Sequence, residues 1–474
     1  MAPTIQHLVV LMLENRSFDH MLGFMRSPSY PINGLTGSES NPRDPAHIDP
    51  SQNVKVSDDA GFIFSYDPGH NFPEVNLQLF DNPAGPPATS VPNGGFILSY
   101  SQQPHVTPGI ADTIMKCMAP TTIPVLSTLA AEFAICDAWY SSVPGPTWPN
   151  RFFVHAATSK GYLDNSQFRN YDMPSIFENL AASGFTWRDY YHDFSQTWAL
   201  QRLQTPVNKV NFYSLGQFHT DARNGKLPNY AFIEPKYFSF FGEANDQHPP
   251  HDIRAGEALI ADVYNSVRNS PQWEQTLLVI LHDEHGGMYD HVTPPAATPP
   301  DAYTSLFAFD RFGLRVPAVL VSPFIPKGTI DHRTFDHTSI PATLKQIFNL
   351  PSFLTKRDAA AQTFSDMLSL TTARTDAPQN LSSLVPAAHT LVQRPPSTPE
   401  EAMVQKAAGQ ISTAPLSDFQ QALVALAHTL DVGDTAELRT LKMARRIETE
   451  YDAAVYVREV SERYAQASQR GGLM

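Results

Sequence analysis

Cysteine is scarce: the 474-residue chain has two, Cys117 and Cys136. A disulfide framework is excluded; the pair reads as two buried thiols, with a single bond between them the alternative. No basic tract is present, and the net charge is −14. Phosphate-backbone binding leans on clustered Lys and Arg, so the chain does not read as a nucleic-acid binder, and it has no polybasic membrane anchor. No apolar run approaches the ~20 residues of a transmembrane segment. The N-terminal apolar run has no Lys or Arg before it and ends at Glu14, so no signal peptide is read there. A cytoplasmic or peripheral-membrane location is the expectation. The Gly-x-Ser-x-Gly elbow of serine esterases is missing as well.

What the chain does have is apolar mass, 42% of residues with 29 Phe, and two short apolar runs that end in acids. Leu8-Val9-Val10-Leu11-Met12-Leu13 leads into Glu14-Asn15. Leu277-Leu278-Val279-Ile280-Leu281-His282 leads into Asp283-Glu284. Strands buried on both faces read as short apolar runs, and α/β sheets bind ligands beyond the carboxyl ends of their strands. If the two runs are neighbours, four oxygen-bearing side chains converge. That is a site for one hard divalent cation, with Ca²⁺, Mg²⁺ and Mn²⁺ equally compatible. Gly286-Gly287 would let the backbone turn sharply after the second acid pair.

Around these runs the organisation is α/β. A helix is expected at 124–133, a short strand at 133–136, an amphipathic helix at 252–268 packing Ile253, Leu259, Ile260 and Val263, and strands at 276–282 and 316–322. Residues 27–110 are rich in Pro, Ser, Asn, Asp and Gly and read as a long surface excursion. Its aromatics Phe62, Phe64, Phe72, Phe80 and Phe96 are candidates either for the core or for lipid access. Alternating strands and helices predict a layered α/β/α catalytic domain over 1–374. A Pro-rich linker or strap follows at 375–400, and a helical region at 401–474. Its helices are expected at 416–430 and 434–466, the latter opening on Asp434-Thr-Ala-Glu437 and turning Leu438, Leu441, Tyr451 and Val455 to one face.

Further residues suit phosphoester chemistry. Thr147 stands in Gly145-Pro-Thr-Trp-Pro-Asn-Arg151, a hydroxyl held between prolines, which fits a nucleophile activated by a metal. Among 17 histidines, those beside Gly and Pro turns are the better candidates: His70 in Asp-Pro-Gly-His, His248 in Asp-Gln-His-Pro-Pro, and His337 in Asp-His-Thr-Ser. Phosphoester hydrolysis needs cationic donors for the phosphoryl oxygens and an acid for the leaving oxygen. His20, His155, His285 and His291 read as supporting or structural.

Four blocks make the chain recognisable: Glu14-Asn-Arg-Ser-Phe-Asp-His-Met-Leu-Gly23, Thr147-Trp-Pro-Asn-Arg-Phe-Phe-Val-His155, Asn245-Asp-Gln-His-Pro-Pro-His-Asp252, and Asp283-Glu-His-Gly-Gly-Met-Tyr-Asp-His291. Together they resemble the phosphoesterase family of bacterial and plant phospholipases C and a related acid phosphatase. The segment 339–358 is especially like the plant branch. The resemblance implies an alkaline-phosphatase-like three-layer sandwich with a mixed central sheet. It implies a metal held by Glu14, Asn15, Asp283 and Glu284 with Thr147, and catalysis by Thr147, His70 and His248. Asn15, His70, His248 and His337 are the expected substrate-binding residues. The expected activity is hydrolysis of phospholipid, at a membrane or micelle surface, to diacylglycerol and a phosphorylated head group. An acid phosphatase for soluble monoesters and a lipid-binding protein with an impaired site are the alternatives.

Overall fold

A computed structural model describes residues 4–47, 49–86, 92–165, 171–239, 242–304, 306–387, 414–431, 447 and 449–471. The two apolar runs are strands β1 (His7–Leu13) and β6 (Thr276–His282), and every residue of both is buried. They pair in parallel along their whole length, with His7 opposite Thr276 and Leu13 opposite His282. The others are β2 (Ala134–Cys136), β3 (Trp187–Tyr191), β4 (Phe212–Ser214), β5 (Tyr230–Glu234), β7 (Ala318–Val321) and β8 (Thr329–Asp331). They form one eight-stranded sheet in the order β8-β2-β7-β6-β1-β5-β3-β4. β7 runs antiparallel to both neighbours, and all other pairs are parallel. The sheet is mixed, as expected.

The principal helices are α1 (Phe18–Leu22), α2 (Phe72–Phe80), α3 (Pro124–Glu132), α4 (Thr147–Ala156), α5 (Ile176–Ala182), α6 (Leu215–Arg223), α7 (Ile253–Arg268), α8 (Ser339–Phe348), α9 (Asp418–Leu430) and α10 (Glu450–Gly471). One group packs α3 and α6 against α7; another packs α5 and α8 against α4. With the central strands covered on both faces, the layers run helix, sheet, helix. On α7 the expected Ile253, Leu259, Ile260 and Val263 are buried. Glu257 shares that face because it has a second task. Its carboxylate accepts from the N–H groups of Val125 (2.6 Å) and Leu126 (3.2 Å), capping α3, whose own N-cap Ile123 has no acceptor.

The stretch 27–110 is more ordered than its composition suggests. It holds α2 and a helix at Phe96–Ser101, packed around a second core that includes Val75, Leu79, Ile97, Ile114 and Met288. Phe64 and Phe96 are buried, and Phe62, Phe72 and Phe80 are half-buried. The elements are at most nine residues long and cut off by Pro and Gly, so no window carries a readable period. Cys117 and Cys136 are buried free thiols.

At the C-terminal end, α9 begins with a capping box. Ser417 Oγ accepts from Gln420 N, and Gln420 Oε1 accepts from Ser417 N, both at 3.1 Å. The expected helix start at Asp434–Glu437, with Leu438 and Leu441, lies outside the described residues. So does the 388–400 part of the Pro-rich strap. The part of the strap up to 387 lies along α7: Leu381 N donates to Asn265 Oδ1 (2.9 Å) and Tyr264 donates to Pro378 O (2.6 Å). The face α10 buries is not the expected one. Tyr451 and Val455 stay half-buried, while Ala453, Tyr456, Val457, Val460 and Tyr464 turn inward. The larger rings decide the rotation: Tyr464 packs on Trp198, with ring centres 5.0 Å apart.

Candidate active site

Because Leu13 and His282 are paired, Glu14 and Asp283 leave the sheet side by side. Backbone bonds continue the register past the strand ends, from Asp283 N to Leu13 O (3.1 Å) and from Arg16 N to Glu284 O (3.0 Å). Asn15 sits in the left-handed region at φ 57°, and its N–H donates to Asp283 Oδ1 (3.0 Å). The two glycines permit this. A Cβ on Gly286 would lie 2.2 Å from Asn15 O, and one on Gly287 would lie 2.6 Å from Gly69 O. Both have positive φ. Their bareness lets the Asp283–Gly287 turn press against Asn15 on one side and the loop carrying His70 on the other.

Thr147 is the first residue of α4. Its Oγ1 stands 3.5 Å from both Glu14 Oε2 and Asn15 Oδ1. One turn along the same helix, Arg151 donates to Glu14 Oε1 (2.7 Å) and Asp283 Oδ2 (3.3 Å). Glu14, Asn15, Thr147, Arg151, Asp283 and Glu284 are all fully buried. The five expected oxygen-bearing residues therefore do lie in one pocket, joined by a guanidinium that the sequence reading left without a role.

Two buried carboxylates contact that guanidinium, and the buried Glu284 follows Asp283 directly. Burial, then the neighbouring Asp283, push the Glu14 carboxyl well above its ordinary value despite Arg151. Burial raises Glu284 too, although His70 opposes it. Glu284 Oε1 is buried and has no hydrogen-bond partner among the described residues. Uncompensated negative charge and an orphaned carboxylate oxygen are what a hard cation would satisfy, and the donor set is all oxygen. These residues fit such an ion.

Two histidines stand over this floor. His70 Nδ1 donates to Pro68 O (2.8 Å), leaving Nε2 as the working atom, 3.4 Å from Asn15 Nδ2 and 3.7 Å from Asp418 Oδ1. Burial alone would strip its proton, but Glu284, Asp67 and Asp418 outweigh burial and hold the imidazolium well above the ordinary histidine value. His248 lies edge-to-face with it, ring centres 5.9 Å apart. Its Nδ1 donates to Pro249 O, and its Nε2 has no hydrogen-bond partner among the described residues. Burial and the charged His70 push it down to about 3, so it is neutral. The two rings thus stand in opposite protonation states.

His337 has a different place from the one expected. Its Nε2 donates to Asp283 O and its Nδ1 accepts from Trp139 Nε1 (3.3 Å), so both ring nitrogens are occupied. It props the Asp283 backbone and has no donor left for a substrate.

The sequence reading missed Asp67 and Asp418. Asp67 precedes the His70 turn, with carboxylate oxygens 3.8 Å from His70 and 3.9 Å from His248. Its place in Asp-Pro-Gly-His was a usable signal. Asp418, the first residue of α9, had none, because an acid there looks like ordinary helix capping. A second C-terminal acid braces the His248 loop: Glu450, opening α10, contacts His251 (3.2 Å), which also contacts Asp246 (2.7 Å). Asp67 and Asp418 are about one-third exposed, whereas the acids below are sealed. The pocket therefore opens between them.

The model of the phosphoesterase family matches residues 5–351. The chain belongs to the phosphoesterase family. It is a phosphoric ester hydrolase. Non-specific phospholipase C6 of Arabidopsis thaliana is 39% identical, over 98% of this chain and 88% of the relative. Non-specific phospholipase C1 of the same plant is 40% identical, over 91% and 80%. Phospholipase C A of Mycobacterium tuberculosis is 26% identical over 73% of each. Among solved structures, an alkaline phosphatase superfamily protein of Vibrio parahaemolyticus aligns over 51% of this chain and 69% of its own, at a TM-score of 0.32 and 10% identity. No helix of this phosphoesterase, among its described residues, is long and apolar enough to cross a membrane.

Proposed function

We propose that this phosphoesterase is a metal-dependent phospholipase C that uses Thr147 as nucleophile and yields diacylglycerol and a phosphorylated head group. The observation that carries the proposal is the convergence of Thr147 with Glu14, Asn15, Asp283 and Glu284 beneath the unlike pair His70 and His248. The printed names of the plant and mycobacterial relatives supply the substrate class.

Glu14, Asn15, Asp283 and Glu284, with Thr147, would hold the cation. When bound it acidifies the threonine hydroxyl and offsets charge on the phosphoryl oxygens. The chain's own residues do the rest. Arg151 keeps Glu14 and Asp283 in place, and the start of α4 fixes the Thr147 hydroxyl. Thr147 Oγ1, its proton released to solvent beforehand, attacks phosphorus, and the bond to the glycerol oxygen breaks. His70, held protonated by its three carboxylates, gives that oxygen its proton. Neutral His70 then takes a proton from the water that cleaves the phosphothreonine, which restores both residues. His248, neutral with its proton on Nδ1, offers its open Nε2 as an acceptor to the attacking water.

The test is product release from phosphatidylcholine vesicles and, separately, from p-nitrophenyl phosphate, each with and without chelator. Diacylglycerol release that exceeds monoester hydrolysis and stops with chelator is expected. Monoester hydrolysis alone contradicts the phospholipase reading and moves the activity to soluble phosphomonoesters. Undiminished turnover in chelator contradicts the metal.

A further inference from the structure

The catalytic acids are sealed and the chain is strongly acidic, so charge does not explain how the protein reaches a lipid surface. Nor do Phe64 and Phe96, which are spent on a core. A different segment presents apolar side chains to solvent. Between Asp301 and Phe309, Tyr303 is 54% exposed and Leu306 85%. The segment is tied down at both ends. Thr158 donates to Asp301, and the Phe309 carbonyl accepts from the buried Arg357 (2.6 Å). The described residues 301–304 and 306–309 therefore form an arm held at its two ends.

The arm stands beside the site. Phe307 packs on Phe72, two residues beyond His70, and on Phe309, with ring centres 5.1 Å apart in both cases. Phe309 stacks on Phe153 of α4, within a small cluster that also holds Val143 and Leu163. That cluster underlies the turn into Thr147: a Cβ on Gly145 would lie 3.3 Å from Leu163 O. A chain of ring contacts thus ties the arm, through Phe307 and the buried Phe309, to Phe72 near His70 and to α4, which Thr147 opens. Tyr66, 37% exposed, directly precedes Asp67 at the pocket opening. Isolated exposed apolar residues are ordinary. An anchored group adjoining the mouth of a site is a docking surface, and Tyr with Leu suits the boundary between head groups and acyl chains.

We propose that this arm docks the protein on a phospholipid surface, Leu306 and Tyr303 entering it, so that the His70–Thr147 pocket faces the lipid head groups. The inference rests on the phospholipase reading above. Asp301 and Asp310 flank the arm, while Lys160 lies over the Tyr303 ring and Arg311 over the Phe307 ring, so the local charge is balanced and the docking is apolar, favours zwitterionic lipid and resists salt.

The experiment compares wild type with Leu306→Asp, a change at a position too exposed to disturb the fold. Binding is read by co-sedimentation with phosphatidylcholine vesicles at low and high salt. Rates are read on the same vesicles and on a short-chain phosphatidylcholine kept monomeric. The variant is expected to lose about tenfold in vesicle binding and vesicle hydrolysis and to keep its rate on the monomeric lipid. Wild-type binding is expected to persist in high salt. Equal binding by the two proteins, absent wild-type binding, or loss of binding in salt overturns the docking inference. The two readings separate cleanly. Salt-resistant, Leu306-dependent binding without hydrolysis of either lipid leaves docking standing and sinks the phospholipase reading. Vesicle hydrolysis and binding indifferent to Leu306→Asp do the reverse.

Discussion

The Asp418 carboxylate, on a helix from the far end of the chain, lies 3.7 Å from His70 Nε2. Its other oxygen accepts from Asn165 Nδ2 (3.0 Å), whose Oδ1 accepts from the backbone N–H of Trp148, next to Thr147. The C-terminal helices are thus wired to both the acid and the nucleophile. Asp418→Asn is expected to lower kcat by about tenfold or more while the melting temperature holds. With one of three carboxylates gone, the imidazolium loses its proton more easily, so the alkaline limb of the kcat–pH profile moves to lower pH. A profile unchanged in height and position would assign Asp418 a purely structural role.

Arg151 bridges the buried Glu14 and Asp283, and removing one partner of a buried ion pair strands the others. Arg151→Met is expected to cost about 3–5 kcal/mol of stability, read from the urea midpoint. Arg151→Lys recovers part of this at most, since an ammonium cannot present the planar fork that reaches Glu14 and Asp283 together. A loss under about 1 kcal/mol for the Met variant would contradict the bridging role.

His155 predicts acid sensitivity away from the site. It is buried between Phe177 and Phe232, with Gln196 Nε2 2.9 Å from its Nε2. Burial, then Arg151, push it from the usual 6.5 down to about 3. The folded protein keeps it neutral while the unfolded chain protonates it near 6.5. Stability from this group is therefore complete above pH 6.5 and falls as pH drops from there toward 3. The slope approaches 1.4 kcal/mol per pH unit for one proton. His155→Gln should flatten the stability–pH curve across that window by about one proton. An unchanged slope in urea titrations at pH 4, 5 and 6 would rule the assignment out.

Much of the floor of the site was legible because the sheet made it so. β1 and β6 announce themselves as apolar runs, and their equal length fixes the register that sets Glu14 beside Asp283. Gly286 and Gly287 were read as a sharp turn, which their positive φ bears out; that they also press on Asn15 and Gly69 was not legible. What stayed hidden depends on contacts between distant segments. Asp418 resembles a helix cap until His70 is placed next to it. His337, in its Asp-His-Thr-Ser turn, looks as available as His70, and only Trp139 and the Asp283 carbonyl show that its nitrogens are occupied. The face of α10 was misjudged because apolar spacing alone does not say which rings find a partner. Trp198 provides one for Tyr464. The order within 27–110 was hidden by the brevity of its elements.

The central claim is that the Thr147 hydroxyl attacks phosphorus, and Thr147→Ala tests it most directly, by the initial rate of diacylglycerol release from phosphatidylcholine beside a thermal melt. The account predicts a rate lower by about a thousandfold or more, with a melting temperature close to wild type, because among the described residues Thr147 Oγ1 has only long 3.5 Å contacts to lose. A rate near that of the wild type would contradict it.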